Sequence, residues 1–277
     1  MVKIIAEVGI NHNGNIEIFK QLIQAAKDCG ADYVKGQKRN PKECLSPEQY
    51  AKPVNSWTGA KNYGAHKEFL ELSNDAWRKL FDYSADVGIK LTASVFDKTS
   101  ADFIAGFKPD FIKVGSAEVT KLALLKYIGG KGIPIIMSTG MSTIDEIDVA
   151  VQVLRSNNNP LTLMHTTSAY PCKLEDVNLN MLDWLKSRYS LPVGLSAHYK
   201  NSNGGCEAVA ISKGAEYIER HFTLDRTMQG SDHAGSLEPE HLKLLVKHIR
   251  GVEKAMGTNV KTVLPCEVGP REKCRGK

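Results

Sequence analysis

The chain has 277 residues, of which 42% are hydrophobic and 24% charged, with a formal net charge of +5. That is the size and mix of one globular unit with a sizeable core. A modest positive charge with no dense basic stripe and no zinc-finger spacing argues against nucleic-acid binding, and no apolar run is long enough to cross a bilayer. Cys29, Cys44, Cys172, Cys206, Cys266 and Cys274 form no CxxC pair, which reads as free thiols in a reducing compartment. The N-terminus runs into a strand without the layout of a secretory leader, so a cytoplasmic protein is expected.

In chain order, eight short apolar runs end at or just before polar or ionisable residues, and seven lead into helix-like stretches. The runs cover 4–8, 33–37, 90–94, 110–113, 135–138, 161–165, 193–196 and 217–221. At or just past their ends stand Glu7, Lys35 and Gln37, Ser94, Lys113 and Ser116, Ser138, His165, Ser196 and His198, and Glu219 and His221. This rhythm predicts an α/β fold. An open doubly wound sheet has the same alternation. The eight units, with reactive residues after nearly every strand, favour a closed (β/α)8 TIM barrel with its active site at the C-terminal mouth.

Between the strands, apolar residues recur at helical spacing: Ile16, Phe19, Leu22, Ile23 and Ala26; Ile144, Ile147, Val151 and Leu154; Leu242, Leu245, Ile249 and Val252. Gly30, Gly88, Gly132 and Gly214 each precede a strand directly and read as helix stops. Asn74 or Asp75 is the expected cap of a helix over 76–86. Three connections are long: 38–74, with Trp57, Tyr63 and His66; 166–177; and 222–237. Loops of that length often cover a site. A single barrel domain over 1–265 is expected, followed by a tail over 266–277 that loses periodicity and reads as frayed or as a linker.

Residue types suggest the chemistry. His198 and His221 follow neighbouring strands, so two neutral imidazoles can face one divalent metal such as Mn²⁺, Fe²⁺ or Zn²⁺. A lone strand-end histidine more often satisfies a backbone group. Glu219 shares a strand face with His221 and is open to three roles: metal ligand, partner of a ligand, or substrate contact. Lys35 and Lys113 suit a phosphate or carboxylate, with a Schiff-base nucleophile or a solvated rim lysine as rivals. Ser94, Ser116, Ser138 and Ser196 add hydroxyls, and Gly115 and Gly140 leave room for backbone amides to reach an anion. Glu7 and Gln37 can bond a polyol, and Glu7 can move a proton. Tyr170 and Asp232 can close over a sugar or serve as ordinary loop residues.

Taken together the motifs resemble the sialic acid synthase family. They are Ile5-Ala-Glu-Val-Gly-Ile-Asn-His-Asn-Gly14, Gly30-Ala-Asp-Tyr-Val-Lys-Gly-Gln37, Lys113-Val-Gly-Ser-Ala-Glu118, Ser138-Thr-Gly-Met141, Thr167-Ser-Ala-Tyr-Pro171, Gly194-Leu-Ser-Ala-His198, Glu219-Arg-His-Phe-Thr223 and Gly230-Ser-Asp-His-Ala-Gly-Ser-Leu-Glu-Pro239. They occur in family order, one per strand end. The resemblance implies condensation of phosphoenolpyruvate with N-acetylmannosamine or a related 2-acetamido hexose, releasing phosphate, with Mn²⁺ the expected metal and Mg²⁺ or Co²⁺ as substitutes. It implies His198 and His221 as metal ligands. Lys35, Ser94, Lys113, Ser116, Ser138, Ser168 and Ser196 would surround phosphoenolpyruvate. Glu7, Gln37, Tyr170 and Asp232 would contact the sugar, with Glu118 and Glu219 close by and Glu7 or Glu118 assisting proton transfer.

Gly36, Ala117 and Ala197 depart from the family pattern, with an expected effect on substrate geometry. Family members generally continue into an antifreeze-like C-terminal domain that supplies an arginine across a homodimer. This sequence stops where that link would begin, so weaker sugar binding is expected. The rival readings are a Schiff-base aldolase and a non-catalytic barrel subunit. A synthase of another nonulosonic acid would differ in substrate only.

Overall fold

Successive side chains of a strand face opposite sides of the sheet, so one face of each run meets the helices and the other meets the barrel interior. In the computed structural model, which describes residues 1–200 and 204–276, the eight runs pair in parallel as one closed barrel in sequence order. The strands are β1 (Lys3–Gly9), β2 (Tyr33–Lys38), β3 (Lys90–Val95), β4 (Ile112–Val114), β5 (Ile135–Ser138), β6 (Leu161–Thr166), β7 (Val193–Ala197) and β8 (Ala215–His221). Pairing of β8 with β1 closes the ring and sets Glu7 opposite His221. One barrel helix follows each strand: α1 (Ile16–Asp28), α2 (Asn74–Val87), α3 (Lys98–Ala105), α4 (Leu122–Gly129), α5 (Ile144–Arg155), α6 (Met181–Tyr189), α7 (Gly205–Ser212) and α8 (Pro239–Met256). The chain is therefore an α/β TIM barrel. β4 starts later and β8 earlier than the apolar runs suggest.

The outward faces carry the main core. Ile4, Ala6 and Val8 of β1 and Val34 of β2 pack with Phe19, Leu22 and Ile23 of α1. Inside the barrel a smaller apolar layer forms a floor from Ile5, Tyr33, Phe111, Ile136 and Met164, with Tyr217 against it. The predicted helix faces are mostly buried; Ile16 and Val252 are half-buried at their helix ends, and Ile144, in the first turn of α5, is 48% exposed. All four glycine stops have positive φ, and Gly88 caps α2 in the left-handed region at φ 76. The expected cap of α2 needs correction. Asn74 is already helical, and Ser73 is the cap, its hydroxyl accepting from Ala76 N at 3.1 Å.

Two glycines set close contacts. A Cβ on Gly36 would lie 2.8 Å from both Phe19 Cζ and Trp77 Cη2, so the bulk absent from β2 is supplied by Trp77 of α2. Gly36 faces outward, as does Ala197, which is buried in the main core. Neither touches the cavity, so of the three departures only Ala117 bears on substrate geometry, which corrects the expectation. Gly14, at φ 74, leaves room for Phe69 O, which a Cβ would approach to 2.4 Å.

That contact seats a helix over the mouth. The long connection after β2 is not irregular: it folds into helices Pro41–Cys44, Pro47–Ala51 and Tyr63–Leu70. The tail also differs from a frayed segment. It forms a turn at Pro265–Glu267 and a helix at Val268–Arg275, with no buried side chain. All six cysteines are free thiols. Among the described residues no helix is long and apolar enough to cross a membrane.

Candidate active site

One period-two step above the floor, inward positions change from apolar to ionisable. Ile5 is followed by Glu7, Tyr33 by Lys35, Phe111 by Lys113 and Tyr217 by Glu219. Because the strands are parallel and in order, the four groups meet. Lys35 Nζ lies 2.5 Å from Glu7 Oε2 and 3.7 Å from Glu219 Oε2, and Lys113 Nζ lies 3.9 Å from Glu219 Oε1. Neither lysine is a rim residue: both are 2% exposed. Each also donates to a hydroxyl, Lys35 to Ser94 Oγ at 2.8 Å and Lys113 to Ser138 Oγ at 2.6 Å. Ser196 Oγ donates to Glu219 Oε1 at 3.0 Å.

Burial and mutual charge set the protonation states. Burial alone would lower Lys35, but Glu219 and Glu7 outweigh it and hold the amine above its ordinary value. Lys113 has weaker carboxylate support. Burial carries it down to about 8 against the pull of Glu219, with Lys35 pushing the same way. Burial would raise Glu219, yet Lys113 and Lys35 bring it down to about 2. Glu7 moves upward because burial exceeds the opposing effect of Lys35. Two carboxylates in one cluster are thus driven apart, which is the usual signature of different roles in proton chemistry.

Every side chain given a catalytic, substrate or metal role from the sequence lines one cavity of about 540 Å³ at the barrel mouth, including Ser116, Ser168 and Glu118. His165 does not. It faces outward, and its Nε2 donates to Val177 O at 2.6 Å. Gly140 does not offer its amide to an anion, since that N–H donates to Ser116 Oγ at 3.1 Å. Buried polar atoms normally find partners. Several that do not in this fold line the cavity: Glu118 Oε2, Ser168 Oγ and His221 Nδ1. Burial raises Glu118, with Lys121 opposing at 3.3 Å.

The imidazoles of His198 and His221 stand with ring centroids 5.2 Å apart. His198 Nδ1 donates to Thr167 O at 2.9 Å, which fixes the tautomer and leaves Nε2 basic. Burial, then His221, lowers His198 to about 3, so the ring is neutral at physiological pH. A neutral His198 ring with Nε2 free, beside a His221 whose Nδ1 has no hydrogen-bond partner, is a donor pair that fits a divalent metal. Glu219 is committed to the lysines and Ser196 instead. Among the described residues no group of three His, Cys, Asp or Glu side chains forms a metal cage. Water and substrate oxygens would complete the shell. The Tyr170 ring covers both imidazoles, at 4.1 Å from His198 and 5.8 Å from His221. Asp232 Oδ2 lies 3.8 Å from His221 Nδ1.

A clasp that sequence reasoning missed steers the Asp232 loop. Asn11 Nδ2 donates to Phe222 O and to Ser236 Oγ, and Ser236 Oγ donates to Asp232 O at 2.7 Å. Also missed were Arg39 and Lys67, which line the outer cavity beside Tyr63 of the long connection already singled out. A signal existed for them. Arg39 continues the inward parity of β2 after Lys35 and Gln37, and Tyr63 and Lys67 are four apart on one helix face.

The chain belongs to the NeuB family, whose sequence profile matches residues 22–261. It is 38% identical to the N-acetylneuraminate-9-phosphate synthase of Homo sapiens over 274 residues, covering 98% of this chain and 75% of that protein. It is 39% identical to the N,N'-diacetyllegionaminic acid synthase of Campylobacter jejuni over 263 residues, covering 93% of this chain and 78% of that protein. The crystal structure of an N-acetylneuraminic acid synthetase from Leptospira borgpetersenii in complex with citrate superposes with a TM-score of 0.83. Its sequence is 29% identical, and the match covers 100% of this chain and 93% of that one.

Proposed function

We propose that the chain condenses phosphoenolpyruvate with a 2-acetamido hexose, N-acetylmannosamine or a close relative, to give a nonulosonic acid and phosphate. The observation that carries this reading is the buried Lys35–Glu7–Glu219–Lys113 cluster at the base of the cavity, in a chain of a family whose named members are sugar-acid synthases. Lys35 and Lys113 supply two cations, and Ser94 and Ser138, held by those amines, turn their hydroxyl protons toward an anion. A small acid bearing both a phosphate and a carboxylate matches that donor set. His198 and His221 would hold a divalent metal, which when bound polarises a sugar carbonyl oxygen as a Lewis acid.

In this reading the C2–C3 π pair of phosphoenolpyruvate bonds C3 to the aldehyde carbon of the open sugar, the carbonyl π pair moves to the aldehyde oxygen, which takes a proton from solvent to become a hydroxyl, and water adds at the electron-poor C2. Glu7, raised by burial, takes the proton of that water while Lys35 steadies the carboxylate pair. The C2–O bond to phosphate then breaks. Incubation with phosphoenolpyruvate, Mn²⁺, N-acetylmannosamine and ¹⁸O-water tests the pathway. Label is expected in the sugar acid and none in released phosphate; label in phosphate overturns it.

The depressed amine of Lys113 is a property that a Schiff-base aldolase would share. Borohydride with pyruvate separates the two readings, since condensation of phosphoenolpyruvate predicts no adduct.

A further inference from the structure

The two imidazoles stand at strand ends that the sheet does not join. Pairing between β7 and β8 ends at Ala197 and Arg220, one residue short of both rings. His221 is the last residue of β8 and is held to β1 opposite Glu7. His198 has left β7, and its own bonds run the other way. Its Nδ1 donates to Thr167 O at 2.9 Å and its carbonyl accepts from Cys172 N at 3.1 Å, both on the loop after β6. A link other than the ladder has to set the distance between the rings.

Arg220 supplies that link. It points outward from β8, between Glu219 and His221, and is buried. Its neighbours in register are Ala6 of β1 and Ala197 of β7, whose methyl groups leave room for the long side chain. Nη2 donates to Tyr199 O at 2.7 Å, and the guanidinium lies 4.3 Å from the centroid of the Tyr199 ring. Nη1 donates to Glu207 Oε1 at 2.6 Å, and Glu207 stands fully buried in the first turn of α7. One side chain thus ties the residue before His221 to the residue after His198, and Glu207 fixes its direction.

Stability is a weak reason for such a pair. Desolvation offsets most of the attraction between a buried guanidinium and carboxylate, and apolar residues of similar volume commonly replace such pairs without loss. Ile218, the preceding residue on the same face of β8, is apolar and fully buried. A planar fork, by contrast, holds two acceptors at a fixed angle.

We propose that Arg220, aimed by Glu207, is a positioning residue that sets the spacing of His198 and His221 and so the affinity of the chain for a divalent metal. The ring centroids are 5.2 Å apart in this arrangement. The inference rests on the metal reading of the two histidines, whereas the identity of the sugar does not enter it. Arg220 does not line the cavity; it acts through the backbone beside each histidine.

Titration of the full chain with Mn²⁺ in the absence of substrate, read from the electron paramagnetic resonance signal of the free ion, tests the role. The parent is expected to bind Mn²⁺ and His198→Ala to lose it; binding unchanged by His198→Ala overturns the proposal. Arg220→Lys keeps a charge opposite Glu207 but cannot serve both acceptors, and should lower Mn²⁺ affinity by about tenfold or more. The double variant Arg220→Met/Glu207→Leu replaces the pair with apolar bulk and should show a similar loss, which keeps the test decisive if Arg220→Lys does not fold. Ile104→Ala opens a cavity in α3 beside β3 and β4, across the barrel, and should destabilise the fold yet leave Mn²⁺ affinity within about twofold of the parent. Parental affinity in either Arg220 variant overturns the proposal. So does a loss in Ile104→Ala as large as theirs, since affinity would then only follow stability.

A phosphate-release assay over a range of Mn²⁺ separates this role from the reaction. If the parent turns over, the defect of Arg220→Lys should lie in the Mn²⁺ needed for half-maximal rate, with kcat recovered at saturation; a kcat that stays low overturns the role. If the parent releases no phosphate while Arg220-dependent Mn²⁺ binding persists, the condensation reading falls and the positioning role stands.

Discussion

Lys113 gives the residue-scale prediction. Burial draws its amine down to about 8 against the pull of Glu219. A bound phosphate or carboxylate stabilises the charged amine and raises its pKa in the complex. Affinity for phosphoenolpyruvate is therefore fully present below about 8 and declines as pH rises through that value. Binding measured from neutral to alkaline pH should show this fall, and Lys113→Met should weaken binding and remove the inflection. A flat profile in the unsubstituted chain would contradict it. At this scale the sequence was readable to a definite depth. Residue types at strand ends named the cavity lining, because the period of two and the shared polarity of the strands leave little choice. The pairing of Lys35 with Glu7 was not readable, since it depends on register between β1 and β2, including a shift between Glu7 and Gly9. Gly36 and Ala197 were misjudged for a simpler reason. Their parity relative to Lys35 and His198 already placed them on the helix side.

Among the elements, the connection between β2 and α2 shows where pattern reading stops. Helices of four, five and eight residues are too short for a periodic apolar face to stand out. Their local signals were nonetheless present: Pro41 and Pro47 at first helical positions, and Asn62 as a cap. Tyr63, Lys67 and Glu71 form a stripe at intervals of four that serves the cavity and Arg39, but its meaning appears only once the helix is folded back over the mouth. The start of α2 gives a direct test. Ser73, not Asn74 or Asp75, satisfies an orphan N–H, so Ser73→Ala should cost about 1 kcal/mol in urea denaturation. Asn74→Ala should fall within about 0.5 kcal/mol of the parent. The reverse order would restore the later helix start.

For the whole molecule, the β1–β8 ladder closes the ring, and α8 ties the start of β1 to the turn before β2 beside it. Arg250 Nη1 donates to Val2 O at 2.8 Å, its Nη2 bonds Asp32 Oδ2 at 2.8 Å, and Asp32 in turn accepts from Ile4 N at 2.8 Å. Eight repeated units made closure legible from the sequence, whereas this tie joins residues 218 apart and carries no local signal. Beyond α8 the situation reverses. From Lys254 to Gly276 every residue is exposed, and the helix Val268–Arg275 buries nothing, so the tail forms structure without joining the core. Truncation after Gly257 should then change stability by no more than about 0.5 kcal/mol, less than about 2 °C in melting temperature. Arg250→Ala, which removes the ties of α8 to Val2 and Asp32 while leaving every residue of the tail in place, should lower it by more. Calorimetry on both variants decides whether stability resides in the ring or extends past it. A large loss on truncation with a small one for Arg250→Ala would mean that the barrel leans on its tail.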